Sequence, residues 1–417
     1  MLRNSTRILG GAFFLSLTLS AQTFTTLYSF CTQDYEPCSS QAGVILGPHG
    51  ELYGTTDGGG RWSDGTVFEL LPPASPGGAW TAVVLHSFND VDGGQPTAGL
   101  TMGPNGALYG VTPSFGASAN GTAFRLDPPT GTSTDWTYAV INQFPEVDGN
   151  LSGSLVFGSS LGHGQSLYGS TTPGTVYRLT PPAAPGDAWT QTNLYTFPSG
   201  WGTTPVGSLA VGTGGKLFGV TLTGGTTVGP CTPGCATVFS LTPPAAPGGP
   251  WTEGVLHAFS QQTYGIEGGN PMAGVVIGPE GVLYGATSAG GAGGGGVAFT
   301  LTPPVAPGEP MTFTILYSFG LYVPYGVGSS PATPLVLGPN GVLYGTTQQG
   351  GNGSGTVFEL TPPASPGGTW TGTILHSFTD QAEGGYPNGL TLAPDGTLYG
   401  TTSPSVVSGG IVFALTP

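Results

Sequence analysis

Charge is scarce in this chain: Asp, Glu, Lys and Arg together make up 6 % of its 417 residues. Disorder needs low hydrophobicity and high charge, so this shortage argues for a folded chain. Basic residues are scarcest, 6 against 21 acidic, for a net charge of −15. That balance disfavours nucleic acid and anionic membrane as partners, since both are gripped through Lys and Arg. Uninterrupted helix-forming stretches are missing too, because 77 glycines and 40 prolines punctuate the sequence and these are the poorest helix formers. Beyond the first residues no apolar run is long enough to span a bilayer, which takes ~20 residues. What is left is an all-β chain with many tight turns.

The amino terminus reads as an export signal over residues 1–21. Arg3 and Arg7 precede an apolar stretch from Ile8 to Leu19, and Ser20 and Ala21 offer small residues for cleavage before Gln22. The mature unit, residues 22–417, is then expected free in the periplasm or outside the cell, with no membrane partner. Four cysteines suit that compartment. Cys31 with Cys38 and Cys231 with Cys235 form two close pairs in turn-rich segments, and an even count in an exported chain predicts two local disulfides. Neither pair has a nearby histidine, which weakens a zinc reading.

The main signal is an internal repeat. A Leu-aromatic-Gly triplet recurs seven times, at Leu52, Leu108, Leu167, Leu217, Leu283, Leu343 and Leu398, spaced by 50 to 66 residues. Each interval holds about four strands of ~5–6 residues plus turns. Strand A is the apolar run before a Gly-Pro-Asn-Gly-type turn, such as Gly99 to Met102 before Gly103 to Gly106. Strand B is Leu-Tyr-Gly-Thr-Thr, whose recurring glycine implies close backbone approach or a bulge. Strand C is Val-Phe-x-Leu, ended by Pro-Pro, which cannot continue a central strand. Strand D begins near a tryptophan and ends in phenylalanine, as from Leu85 to Phe88. Strands C and D are apolar on both faces, as expected for sheets covered by neighbours on each side.

The phase of the two ends is informative. The mature chain opens with a lone strand D, Thr25 to Phe30, and finishes with a strand C, Ile411 to Leu415. Seven complete blades result only if the first strand pairs with the last unit. The predicted fold is therefore a seven-bladed β-propeller of four-stranded antiparallel blades, closed by the N-terminal strand. The unit from Gly389 to Thr402, followed by Val-Phe-x-Leu-Thr-Pro and Leu-His-Ser-Phe, resembles the GloVer (Gloeobacter/Verrucomicrobia) repeat of exported bacterial proteins. The resemblance covers residues 23–417 and implies export and a propeller-like fold, with no established activity.

In such a ring the A–B and C–D turns form one rim. They are near copies from unit to unit, so that rim reads as structural. The B–C and D–A loops vary, carry both cysteine pairs and gather the acidic residues, and variable loops on a rigid scaffold are where binding resides. Candidate binding residues there are Trp62, Trp201, Tyr264, Tyr322, Tyr325 and Tyr386, with Asp90 and Asp92. Aromatic faces beside carboxylates suit sugar rings, although such aromatics also fold back over their own loops. Asn89 to Gly93 spaces two carboxylates like part of a calcium loop but lacks the distal Glu; an Asp-Gly turn is the plainer reading. Three histidines, His86, His257 and His376, share one strand D position that other units fill with Tyr or Asn, which marks a packing position. No Ser-His-Asp set, zinc spacing or phosphate loop is present, so no metal, cofactor or catalytic residue is assigned. The sequence points to a secreted, monomeric binding or scaffold propeller for a glycan or an extracellular protein. The alternative is a polysaccharide-active enzyme using a carboxylate pair on the rim or in the central channel.

Overall fold

The computed structural model describes residues 22–116, 120–145, 150–159, 165–172, 174–184, 187–198, 204–224, 235–259, 265–306, 308–320, 326–365, 367–379, 382–405 and 408–416. The expected export signal at 1–21 lies outside them, as do Trp201, Tyr264, Tyr322, Tyr325 and Cys231.

Seven four-stranded antiparallel sheets follow one another along the chain. Blade 1 shows the pattern: strand A is Ile45–Leu46, B Leu52–Thr56, C Thr66–Leu71 and D Thr81–Ser87. Blade 7 is the composite one. Its strands A to C are Gly385–Leu392, Leu398–Ser403 and Ile411–Thr416, and its strand D is the N-terminal Thr23–Ser29. The closing ladder runs from Thr23 opposite Thr416 to Ser29 opposite Ile411, and the Phe30 amide continues it by donating to the Gly410 carbonyl at 2.9 Å. The closing strand thus starts two residues earlier than the sequence predicts.

The core is distributed over seven inter-blade clusters rather than one centre. That between blades 1 and 2 joins Tyr53, Val67 and Phe88 to Leu100, Leu108 and Phe124. The seventh joins Phe30 and Val412 of blade 7 to Val44, Leu52 and Phe68 of blade 1, so the circle is sealed by packing as well as by pairing. Thr401 and Asn388 of blade 7 add hydrogen bonds to the Ala42 and Ser40 carbonyls at 2.7 and 3.1 Å.

The repeat signature has a physical explanation at each position. The strand B glycine lies under the strand C aromatic ring: a Cβ on Gly54 would sit 2.6 Å from Phe68 Cζ, and one on Gly345 2.5 Å from Phe358 Cζ. In four blades the last threonine of strand B meets the first of strand C inside the sheet, as in Thr56–Thr66 at 2.7 Å and Thr112–Thr122 at 2.9 Å. Buried hydroxyls are costly unless bonded, and each of these pairs satisfies itself. The C–D ladder carries a register shift at the same place in every blade. One Leu or Ile of strand D is left over at each shift, which is why those strands look apolar on both faces.

Strand A is shorter than the sequence predicts in four blades, for example Thr101–Met102 in blade 2. Its first residues leave the ladder where neighbouring A strands crowd the axis. A Cβ on Gly43 would run into the Gly389 carbonyl, and one on Gly274 into that of Ser208. The space at the axis, about 400 Å³, is lined by Gly, Ala, Ser, Thr and apolar residues with Gln41, and by no ionisable side chain.

Candidate binding site

The A–B and C–D rim, expected to be purely structural, carries a groove. It lies between blades 1 and 2, encloses about 610 Å³, and is lined by His49, Glu51, Tyr53 and Glu69 of blade 1 and by Met102, Asn105 and Trp136 of blade 2, with Pro48, Pro72, Pro128 and Pro129 as walls. Glu51 stands at a position that the other units fill with Ala107, Ser166, Lys216, Val282, Val342 and Thr397. Its side chain is only 6 % exposed. The A–B turn bends it back so that Oε2 accepts the His49 amide at 2.8 Å, and Gly47 leaves the room, since a Cβ there would overlap the carboxylate.

Tyr53 joins the two acids. Its Oη lies 2.9 Å from Glu69 Oε1 and 3.2 Å from Glu51 Oε1. One phenol carries one proton and can donate to only one carboxylate at a time. Both contacts are hydrogen bonds together only when one carboxyl carries a second proton. Burial raises the Glu69 pKa, with the Glu51 charge adding to it and the Tyr53 hydrogen bond pulling the other way. Burial likewise pushes the Tyr53 phenol far up, reinforced by Glu69 and Glu51, so it remains a donor. The Trp136 ring meets Tyr53 edge-on at 5.6 Å.

A carboxyl whose folded pKa is raised contributes stability that is complete below the unfolded value and lost as pH rises through the folded one. Glu69→Gln removes that loss. The variant is expected to gain stability relative to wild type between pH 4 and pH 7, read from urea midpoints at the two values; an identical offset at both would refute the shared proton.

The tryptophans that open strand D are packing residues. Trp80 meets Tyr399, Trp136 Tyr53, Trp189 Tyr109 and Trp251 Tyr168, each against the strand B aromatic of the preceding blade. The strand D histidines pack forward. His86 stacks on Tyr138 at 3.7 Å, His257 on Phe313 at 3.9 Å and His376 on Phe24 at 3.7 Å, always on the next blade. Where that position is Tyr195 or Asn142, the facing residue is Glu253 or Gln191, bonded at 2.6 and 2.7 Å. Each histidine also faces a D–A loop acid: His86 Asp92 at 3.1 Å, His376 Glu383 at 3.2 Å and His257 Glu267 at 3.7 Å. Burial lowers the His257 pKa against the opposing pull of Glu267.

On the variable-loop rim Trp62 is 56 % exposed, and the Arg61 guanidinium lies 5.1 Å over its ring; Tyr386, expected in a D–A loop, instead opens strand A of blade 7 and is 46 % exposed. Asp90 is exposed. Asp92 turns inward, its carboxylate accepting the Asn89 amide at 2.9 Å and the Asn89 side chain at 3.0 Å besides facing His86. It thereby staples the D–A loop. The structure brings Asp90 and Asp92 together near Asp64, whose pKa burial and these two charges raise, and places Trp62 and Tyr386 on different blades. Cys31 and Cys38 form a disulfide just after the closing strand; Cys235 is also disulfide-bonded. No helix among the described residues is long and apolar enough to cross a membrane.

Sequence reasoning missed Glu51, Tyr53 and Glu69 as a group. The available signal was the one acidic residue in a column of the repeat that otherwise holds Ala, Ser, Val, Thr and a single Lys.

The fold is similar to several solved propellers. The β-propeller domain of Cps50 (Swd1) from Myceliophteria thermophila matches at 9 % identity and TM-score 0.52, over 94 % of this chain and 99 % of that one. An ulvan lyase of a new polysaccharide lyase family matches at 9 % identity and TM-score 0.48, over 94 % and 95 %. Sqt1 from Chaetomium thermophilum matches at 15 % identity and TM-score 0.45, over 95 % and 91 %. At such identities the likeness shows the fold alone. No curated protein sequence matches the chain. The family model of the Gloeobacter/Verrucomicrobia repeat matches residues 5–173 and 225–417, and the chain belongs to that repeat family.

Proposed function

We propose that this is an exported binding propeller that holds a neutral glycan in the groove between blades 1 and 2. The observation that carries the reading is the pairing of two carboxyls through one phenol inside an aromatic- and proline-walled groove. Sugar hydroxyls are donors for the Glu69 carboxylate oxygen that Tyr53 does not engage, and sugar C–H faces suit the Trp136 and proline walls. The groove volume, about 610 Å³, falls within the ~300–1,000 Å³ usual for small-ligand sites. The net charge of −15 repels polyanions, which favours an uncharged ligand here.

Binding is favoured over cleavage by position. Glycoside hydrolysis places the scissile bond between two carboxyls. Here the Tyr53 oxygen fills the gap between Glu51 and Glu69, within hydrogen-bond reach of both. The disulfides favour an oxidising compartment outside the cytoplasm.

The test is calorimetry of the purified ring with a panel of neutral oligosaccharides. The Glu51→Gln/Glu69→Gln double variant is expected to bind at least about 10-fold more weakly, since a hydrogen bond to a charged group contributes ~1.5–3 kcal/mol. A blank panel, or a double variant that binds like wild type, overturns the reading. A second reading rests on Trp62 and Tyr386, more than 40 % exposed: the loop rim docks a partner protein. Trp62→Ala would then weaken capture of that partner and leave the groove untouched.

A further inference from the structure

The groove between blades 3 and 4 presents a different chemistry. Arg178 sits on strand C of blade 3, Thr175–Thr180, and is 9 % exposed. Its Nε has no hydrogen-bond partner, and among the described residues no carboxylate lies within ion-pair distance of the guanidinium. The side chain lines a cavity of about 410 Å³, with Thr192, Asn193 and Leu194 of its own blade and Pro244, Pro247, Pro250 and Trp251 of blade 4.

The repeat supplies an internal control. Blade 2 has Arg125 at the same position of strand C, Thr122–Asp127. There the guanidinium pairs with Asp127 two residues on and lies 5.8 Å over the Tyr109 ring. In blade 3 the residue two positions on is Thr180. The Nε is unpartnered in both blades; what blade 3 lacks is the counterion, and there the side chain lines a cavity. A buried charge without a partner is strongly unfavourable unless something completes it. Among 6 basic residues in a chain of 21 acidic ones, an unpaired buried arginine is the least expected feature of the surface.

We propose that Arg178 is the anchor of a carboxylate-binding site, and that its ligand is a monoanionic sugar acid. A planar carboxylate matches the guanidinium fork with two parallel hydrogen bonds. Thr192 and Asn193 supply polar groups beside the fork. Trp251 and the prolines supply an apolar wall for the body of the ligand, and the cavity exceeds the needs of a bare carboxylate. The surrounding negative charge works against polyanions at long range, so a single carboxylate on a small ring fits best. This site is separate from the neutral-glycan groove, two blade interfaces away, and stands whether or not that groove binds.

The test is titration calorimetry of the whole ring with D-galacturonate and D-glucuronate, against D-galactose, D-glucose and acetate. Either sugar acid is expected to bind, the neutral sugars not to bind, and acetate to bind at least 10-fold more weakly. Arg178→Gln should lower sugar-acid affinity at least 10-fold, and Arg125→Gln should leave it unchanged. Because Arg178→Gln could perturb folding, Thr180→Asp is the decisive second variant. It rebuilds the blade 2 ion pair in blade 3, and should abolish binding while raising the urea midpoint. No sugar-acid binding by wild type, or binding that survives both Arg178→Gln and Thr180→Asp, overturns the proposal; equal affinity for acetate overturns the sugar-sized ligand.

Discussion

A ring that lacks residues 22–29 is expected to lose about 2–5 kcal/mol of stability and to associate. Three partly buried strand residues, Phe24, Leu27 and Tyr28, pack into the clusters on either side of blade 7, and each contributes a part of the ~1.5–3 kcal/mol that full burial of such a side chain supplies. Phe24 alone stacks on His376 at 3.7 Å and contacts Phe413 at 5.5 Å. The deletion also bares Ile411–Thr416 as an edge strand, and an unpaired apolar edge invites pairing with another chain. Urea unfolding and size-exclusion chromatography read the two effects. A synthetic peptide of residues 22–30 should restore the wild-type midpoint and elution volume in trans. A deletion variant with an unchanged midpoint and elution volume would mean that the seventh interface does not depend on this strand.

Gly345→Ala is expected to cost about 2–3 kcal/mol, toward the upper end of overpacking penalties. The added Cβ meets Phe358 Cζ at 2.5 Å, Phe358 Cε1 at 3.0 Å and Leu335 Cδ2 at 3.1 Å, and the ring has nowhere to go because Phe358 is fully buried. The backbone itself tolerates alanine here, since Gly345 is not among the positive-φ glycines. The penalty is therefore one of space. Trimming the ring in Gly345→Ala/Phe358→Leu should cost less than the two single changes combined, as close neighbours couple. Strict additivity in urea denaturation would sink the close-packing account of the triplet glycine.

The positions that repeat were legible because each does one job that any blade requires. The triplet glycine makes way for a ring, the threonines satisfy one another between strands B and C, and the tryptophan at the head of strand D meets the strand B aromatic of the preceding blade. The shared strand D histidine position was readable as packing for the same reason, since His, Tyr and Asn alternate there. What that reading could not supply was the partner. His86 faces Tyr138 and Tyr195 faces Glu253 across a blade boundary, more than 50 residues apart in each case.

The candidate sites were hidden for a related reason. Loops that vary in length stand out along the chain, whereas Glu51 and Arg178 are charged residues inside units that otherwise look alike, with Lys216 and Arg125 at the matching positions of other units. Glu51 becomes notable only when the A–B turn folds it under Gly47 and the B–C ladder sets Tyr53 beside Glu69. Arg178 becomes notable only when burial removes water from it and Thr180 fails to replace Asp127.

By itself, the order of residues determined the number of blades, their four strands and the need for the two ends to meet. These follow from local periodicity, turn chemistry and the phase of the repeat, all written along the chain. Which carboxyls meet through one phenol, which cation lacks a counterion and which groove stays open were decided only in three dimensions. Each depends on distances and burial between segments of different strands and blades, and electrostatic energies change more with desolvation than with the identity of the residue.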